Sequence, residues 1–454
     1  MRMGLRRLGT IAAALTLPLG VAAVPAGAAV GGAAAVPLHG SPVQQIGTGG
    51  TAPSDSACRA QLGQPCYSPQ EIRRAYGLTG LLNRGDDGKG QTIVIIDSYG
   101  SPTVRSDLQR FDSDFGLPAP PSLKVISPLG TVPFDPTDTV QLGWAEETSL
   151  DVQWAHALAP AAGIDVLTSP VAETEGVQGL PEFLKLERYA VAHHLGNVIS
   201  QSWAATENTL FTRQGKALMT RFNHFYRSAT RRGVTFLGST GDSGSANPDL
   251  NNNTYPFPTV NFPATSPWVT AVGGTSLYAD TKGNYQSEKV WNDGPGSATG
   301  GGVSQYTREP FYQRLLPRAD QKLLRGHRAV PDIAFNADPA TGVLVHLGFL
   351  GGARNGYYIF GGTSEGSPAW AGIVADLDQL AHAPLGFLNP AIYALGAGHA
   401  LYPNLLHDIT VGDNAQPPIA GYSATAGWDA TTGWGTPRLG RLARVLVGYT
   451  RSHR

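Results

Sequence analysis

The chain is poor in charge, in cysteine and in long apolar runs. Only 15% of its 454 residues are charged, against roughly 25% in an average globular protein. The 33 Lys and Arg are balanced by 34 Asp and Glu, a formal net charge of −1. No excess of positive charge exists to neutralise a phosphate backbone, which argues against nucleic-acid binding. Only Cys58 and Cys66 are present and no CxxC occurs, so a zinc ribbon or thioredoxin-like site has no support. No HExxH occurs either, which removes the usual zinc-protease signature. Intrinsic disorder is disfavoured by 41% hydrophobic residues at near-zero net charge. What the chain has in excess is glycine, 57 residues. That many argues for tight turns and close backbone approaches rather than a helical bundle.

The N-terminus carries an address. Arg2, Arg6 and Arg7 precede a short apolar run from Ile11 to Val24, and Ala26-Gly27-Ala28 offers a small-residue cleavage site. This pattern predicts a signal peptide over residues 1–28 and a secreted, extracellular protein. The apolar run is shorter than the roughly 20 residues of a membrane span, and no second run follows. The mature chain is therefore expected to need no membrane. In an exported protein, Cys58 and Cys66 read as a disulfide, contributing on the order of 2–3 kcal/mol if unstrained. Residues 29–57 are rich in Gly, Ala, Ser, Thr and Pro, with Asp55 their only charge; they read as a flexible leader. No long linker or internal repeat follows, so residues 58–454 are expected to form one domain.

Within that domain, apolar β-branched runs alternate with helical segments. Thr92–Asp97 is TIVIID; similar runs are 164–167, 198–199, 234–237 and 269–272. Helices are expected at 103–115, 147–158, 181–194 and 210–232. Continuous apolar strands suit a parallel sheet covered on both faces. The alternation predicts an α/β, doubly wound sheet. In such sheets the site lies beyond the carboxyl ends of the strands.

Three segments there carry chemistry. GGTSEGSP, from Gly361 to Pro368, reads as strand, turn, Ser, helix. Ser364 at a helix N-terminus could be a nucleophile beside backbone donors, or an ordinary helix cap. ETSLD places Glu147 and Asp151 four apart, on one helical face. Partly buried together, they would share a proton and one would serve as a base in acid; the bland alternative is a solvated acidic face. TGDSG places Asp242 in a sharp turn, either as a turn residue or as a neutral acid donating to an oxyanion. The chymotrypsin-like reading of GDSG fails for want of a His partner motif. His156, His193 and His194 carry no ligand spacing.

Together these segments resemble the sedolisins, serine-carboxyl peptidases of subtilisin-like fold. GTSxxxP, ExxxD and the TGDSG turn occur in order, with FPATSPWVTAVGGT, TGGGVSQYTREPFYQ and VPDIAFNADPATG between. The resemblance covers roughly residues 67–441. It implies Ser364 as nucleophile, Glu147 as general base, Asp151 as its partner and Asp242 as oxyanion acid. Asp97 and Trp203 fall where the family carries supporting residues, against readings as a strand-end Asp and a packing Trp. It further implies one structural Ca2+, held by Asp408, Asp429 and the carbonyls of Ile409, Thr425 and Gly427. Where the family has Gly, Thr425 stands, which requires backbone angles that suit Thr. The implied activity is hydrolysis of peptide or protein substrates in acid, by a monomer of the bacterial type. The leader is too short to be the long prodomain of many members. Endopeptidase cleavage is the leading expectation; removal of tripeptides and a catalytically silent binding scaffold are the alternatives.

Overall fold

The computed structural model describes residues 44–46, 51–398 and 400–453. The expected signal peptide lies outside these residues, as do 29–43 and 47–50 of the leader.

A mainly parallel sheet organises the molecule. Across it run Leu123–Ile126, Gly163–Ser169, Thr92–Ser98, Val198–Gln201, Thr235–Ser239 and Thr270–Ala279, each parallel to its neighbour. Thr270–Ala279 also pairs in parallel with Ile333–Asn336 and antiparallel with Tyr285–Val290. Side chains on a strand alternate between faces. Accordingly Ile93 and Ile95 enter one hydrophobic core, Val94 and Ile96 another. The first core holds Leu150 and Trp154 of helix Thr139–Leu158, with Trp370 and Ile373 of helix Thr363–Ala381. The second holds Phe183 of Leu180–Ala192 and Phe222 of Arg213–Thr230. Both faces are covered, as the apolar strands predict.

The expected helices at 103–115, 181–194 and 210–232 form as Val104–Phe115, Leu180–Ala192 and Arg213–Thr230. The helix expected from Glu147 begins earlier, at Thr139. Asp138 starts it: its carboxylate accepts the N–H groups of Val140 (2.9 Å) and Gln141 (3.3 Å). Glu147 and Asp151 therefore sit in the body of a long buried helix, not in its first turns.

Parts of the expected leader take regular structure. Gln44–Ile46 pairs antiparallel with Gly356–Phe360, whose other edge pairs with Val343–Leu347. A helix, Asp55–Leu62, begins before Cys58. Ser54 caps it, accepting the Ala57 N–H at 3.2 Å. Asp55 is buried, pairs with Arg59 at 2.7 Å and accepts the Cys66 N–H at 3.1 Å. Cys58 and Cys66 form the disulfide, Cα atoms 5.9 Å apart. The leader's lone charge is thus a structural residue, tied across the disulfide loop.

Candidate active site

Strand Gly356–Phe360 leads through Gly361 and Gly362 into helix Thr363–Ala381, here the serine helix. Gly362 caps it and has no side chain to satisfy the first N–H groups. Asp242 does this instead. Its Oδ1 accepts both the Thr363 N–H and the Thr363 hydroxyl, each at 2.8 Å. Ser364 is therefore not the cap. Its amide donates to no described group, and its enclosed Oγ has no hydrogen-bond partner among the described residues.

The turn that delivers Asp242 depends on Gly241. That residue has φ +98°, and a Cβ there would run into the Asn261 side-chain amide. Its N–H donates to the Thr363 hydroxyl at 3.0 Å, closing the turn onto the serine helix. The second Asp242 oxygen is enclosed and has no partner among the described residues. Burial pushes the Asp242 carboxyl up to about 6, against the pull of the two Thr363 donors.

Helix Thr139–Leu158, here the acidic helix, supplies the other carboxyls. Glu147 and Asp151 are wholly buried. Burial raises Glu147 well above the usual carboxylate range, helped by the charges of Asp151, Asp97 and Asp242. The Ser364 hydroxyl beside it acts in the opposite direction, easing ionisation. Neither Glu147 oxygen closes a hydrogen bond of ordinary geometry with a described group, so the Glu147 carboxyl and the Ser364 hydroxyl stand adjacent but unbonded. Asp151 is likewise raised, first by burial and then by Asp97. Its Oδ1 accepts the Ser202 hydroxyl at 2.9 Å. Asp97, next to the end of strand Thr92–Ser98, is fully buried, and burial pushes it up to about 7 while the Thr148 hydroxyl counteracts. The solvated-face alternative for the acidic helix is overturned by this burial. Trp203 packs against Phe183 (4.8 Å between centroids) and Phe222 (6.1 Å), and its indole N–H has no partner among the described residues.

Ser364, Glu147, Asp151, Asp242 and Asp97 are thus brought together. Thr363, Ser202 and Thr148 were missed by sequence reasoning. Thr363 lies inside GGTSEGSP, Ser202 directly precedes Trp203, and Thr148 lies inside ETSLD; hydroxyl spacing alone does not distinguish them.

Two further segments, around Asp408 and around Asp429, bring the expected metal ligands together. Both Asp408 oxygens accept the Gly427 N–H at 3.1 Å. Asp429 accepts the Thr425 N–H at 3.1 Å and the N–H groups of Thr431 and Thr432 at 2.9 Å. No described group donates to the carbonyls of Ile409 or Thr425, and Gly427 O meets only the Tyr402 hydroxyl at 3.5 Å. Thr425 is absent from the positive-φ residues, so Thr is unstrained there. Two carboxylates and carbonyls with spare lone pairs fit calcium's preference for oxygen. No group of three or more His, Cys, Asp or Glu forms a metal cluster among the described residues.

No family model matches the chain. Kumamolisin of Bacillus sp. (strain MN-32) is 36% identical over 365 residues, 78% of this chain and 59% of that protein. Sedolisin of Pseudomonas sp. (strain 101) is 32% identical over 334 residues, 71% of this chain and 52% of that protein. The structure of Pseudomonas sedolisin, a serine-carboxyl proteinase complexed with two molecules of pseudo-iodotyrostatin, superposes with TM-score 0.70 at 29% identity. It covers 86% of this chain and 99% of that one. The chain belongs to the sedolisin family. Human tripeptidyl-peptidase 1 is also similar, 30% identical over 76% of this chain and 57% of that protein. The chain thus spans between about half and six-tenths of the length of these curated sedolisin-family relatives.

Proposed function

We propose that the protein is an exported serine-carboxyl endopeptidase that works in acid. The observation that carries this reading is the unbonded Ser364 Oγ, enclosed beside Glu147 and beside a helix end held by Asp242. Ser364 Oγ attacks the carbonyl carbon of the scissile bond while its proton passes to Glu147. The tetrahedral oxyanion accepts from the Asp242 O–H and the Ser364 N–H, both otherwise unused. Collapse expels the amine, which takes the proton from Glu147 and leaves an acyl-serine. Water then attacks, giving its proton to Glu147; collapse expels Ser364 Oγ, which takes that proton back, and the acid product leaves with both groups restored. Asp151 and Asp97 set when the shared cluster first ionises, a property of the group rather than of one residue. Trp203 supports this network by packing behind the neighbouring Ser202. A cavity of about 490 Å3 next to Asp242, lined by Ser243, Pro248, Thr254, Pro295 and Ile419, is suited to a substrate side chain.

Asp408 and Asp429, with the carbonyls of Ile409, Thr425 and Gly427, would hold a calcium ion. Bound there, it would tie two loops together and take no part in bond cleavage. Export is supported by the disulfide and by the signal pattern. Among the described residues, no helix is long and apolar enough to cross a membrane.

The test is peptide cleavage at about pH 4, where reference carboxylates begin to ionise. Ser364→Ala and Glu147→Gln should each lower kcat by several orders of magnitude, roughly as loss of a nucleophile or its base does elsewhere. Turnover equal to wild type in both rejects the mechanism. The similarity to tripeptidyl-peptidase 1 favours a second reading, removal of N-terminal tripeptides. Product masses from an N-terminally blocked peptide separate the two: internal cuts support the endopeptidase.

A further inference from the structure

Outside the catalytic cluster, three arginines meet without an acid. Arg74 lies in the last turn of helix Pro69–Ala75; Arg438 precedes helix Leu439–Ser452 and Arg441 lies in its first turn. All three are exposed, and none forms an ion pair with a described carboxylate. Together with Tyr285, Asn404 and His407 they line a cavity of about 530 Å3.

The cavity is built from more than flexible arginines. Arg438 Nε donates to the Leu406 carbonyl at 3.2 Å, and Arg441 donates to Asn404 Oδ1 at 2.7 Å. These bonds fix each guanidinium while leaving further N–H donors free. The 14-residue helix has no side-chain cap. Its Leu439 N–H donates to Tyr76 O at 2.9 Å, but the Gly440 amide, in the cavity wall, donates to no described group. His407 is 6% exposed and stacks on Tyr285 with centroids 3.7 Å apart. Its Nδ1 has no partner among the described residues. The acid beneath, Glu288, is already engaged by the hydroxyls of Tyr76, Thr275 and Thr436.

Guanidinium forks and an uncapped helix N-terminus both select oxyanions. In acid a carboxylate is lost to protonation, whereas a sulfate or phosphate ester keeps at least one negative charge. We propose that this cavity binds the sulfate or phosphate group of an anionic ligand. The site stands independently of the peptidase reading.

Calorimetric titration of the whole chain with sodium sulfate, and separately with sodium phosphate, tests it at about pH 5, below the second phosphate ionisation. Chloride holds the ionic strength. Saturable one-site binding is expected. Arg438→Gln combined with Arg441→Gln should weaken it about tenfold or more, the loss of charge-assisted hydrogen bonds. Arg74→Gln, on the other helix, should also weaken it. Arg444→Gln, exposed on the same helix but outside the cavity wall, should leave it unchanged. Binding of one anion alone supports the site and identifies the source. Failure of both anions to saturate overturns the proposal, as does equal weakening by Arg444→Gln. Melting without anion checks that each variant is folded, and cleavage assays run alongside keep failure of the catalytic reading distinct.

Discussion

Asp242 presents two different oxygens to the site. One is spent on Thr363; in the proposed reaction the other has a role only while it carries a proton. With its carboxyl raised to about 6, the acid stays a donor below that pH and becomes a repelling anion above it. Cleavage should therefore fall as pH rises through about 6, while the acid limb marks the first ionisation of the Glu147, Asp151 and Asp97 cluster. Asp242→Asn separates the two limbs, because an amide donates at every pH. The variant should be slower at its optimum, yet keep a larger share of that rate at neutral pH. An unchanged alkaline limb would assign that limb to another group. The residue types at 147, 151, 242 and 364 were legible in sequence because each sits in a compact motif. The anchoring of Asp242 by Thr363 was not, since the two lie 121 residues apart and only folding supplies the contact.

The site depends on how closely two helices approach. Gly372, on the serine helix, faces the acidic helix: a Cβ there would lie 2.7 Å from Leu158 Cβ and 2.9 Å from the Ala155 carbonyl. Gly372→Val should destabilise the protein by about 1–3 kcal/mol through overpacking. It should also lower kcat, because the same interface sets Ser364 against Glu147. A variant that melts lower with unchanged kcat would show that the site tolerates helix displacement. The loop around Asp408 and Asp429 makes a different prediction. Excess chelator should lower the Tm of wild type, and Asp408→Ala should abolish that response. An unchanged melt in chelator counts against calcium. Element types were readable from apolar runs, and strand starts followed within a residue, but the strand expected at 269–272 continues to Ala279. The start of the acidic helix was not, because its signal is one Asp138 cap preceding a stretch with little helical amphipathicity.

At the scale of the molecule, acid stabilises. Glu175, Glu288 and Asp338 are pushed up to about 7, and Glu173, Glu187, Glu365 and Asp376 well above the usual range, all chiefly by burial. Each folded value exceeds the unfolded one of roughly 4, so the folded state holds these protons more tightly. That stabilisation is complete below about pH 4 and is lost as pH rises toward 7. Calorimetry should give a higher Tm at pH 4 than at pH 7, a comparison spanning this window. A higher midpoint at neutral pH would contradict it. The count of 34 acids could not reveal this, since composition does not say which carboxyls are enclosed. The short strand Gln44–Ile46 has a consequence for how the protein is prepared. It covers an edge of Gly356–Phe360, the strand that leads to Ser364. A recombinant chain started after residue 50 would leave that edge's N–H and C=O groups bare, a template on which a second molecule could add its own strand. Self-association of such a truncated form would then reflect a missing strand, not a native oligomer.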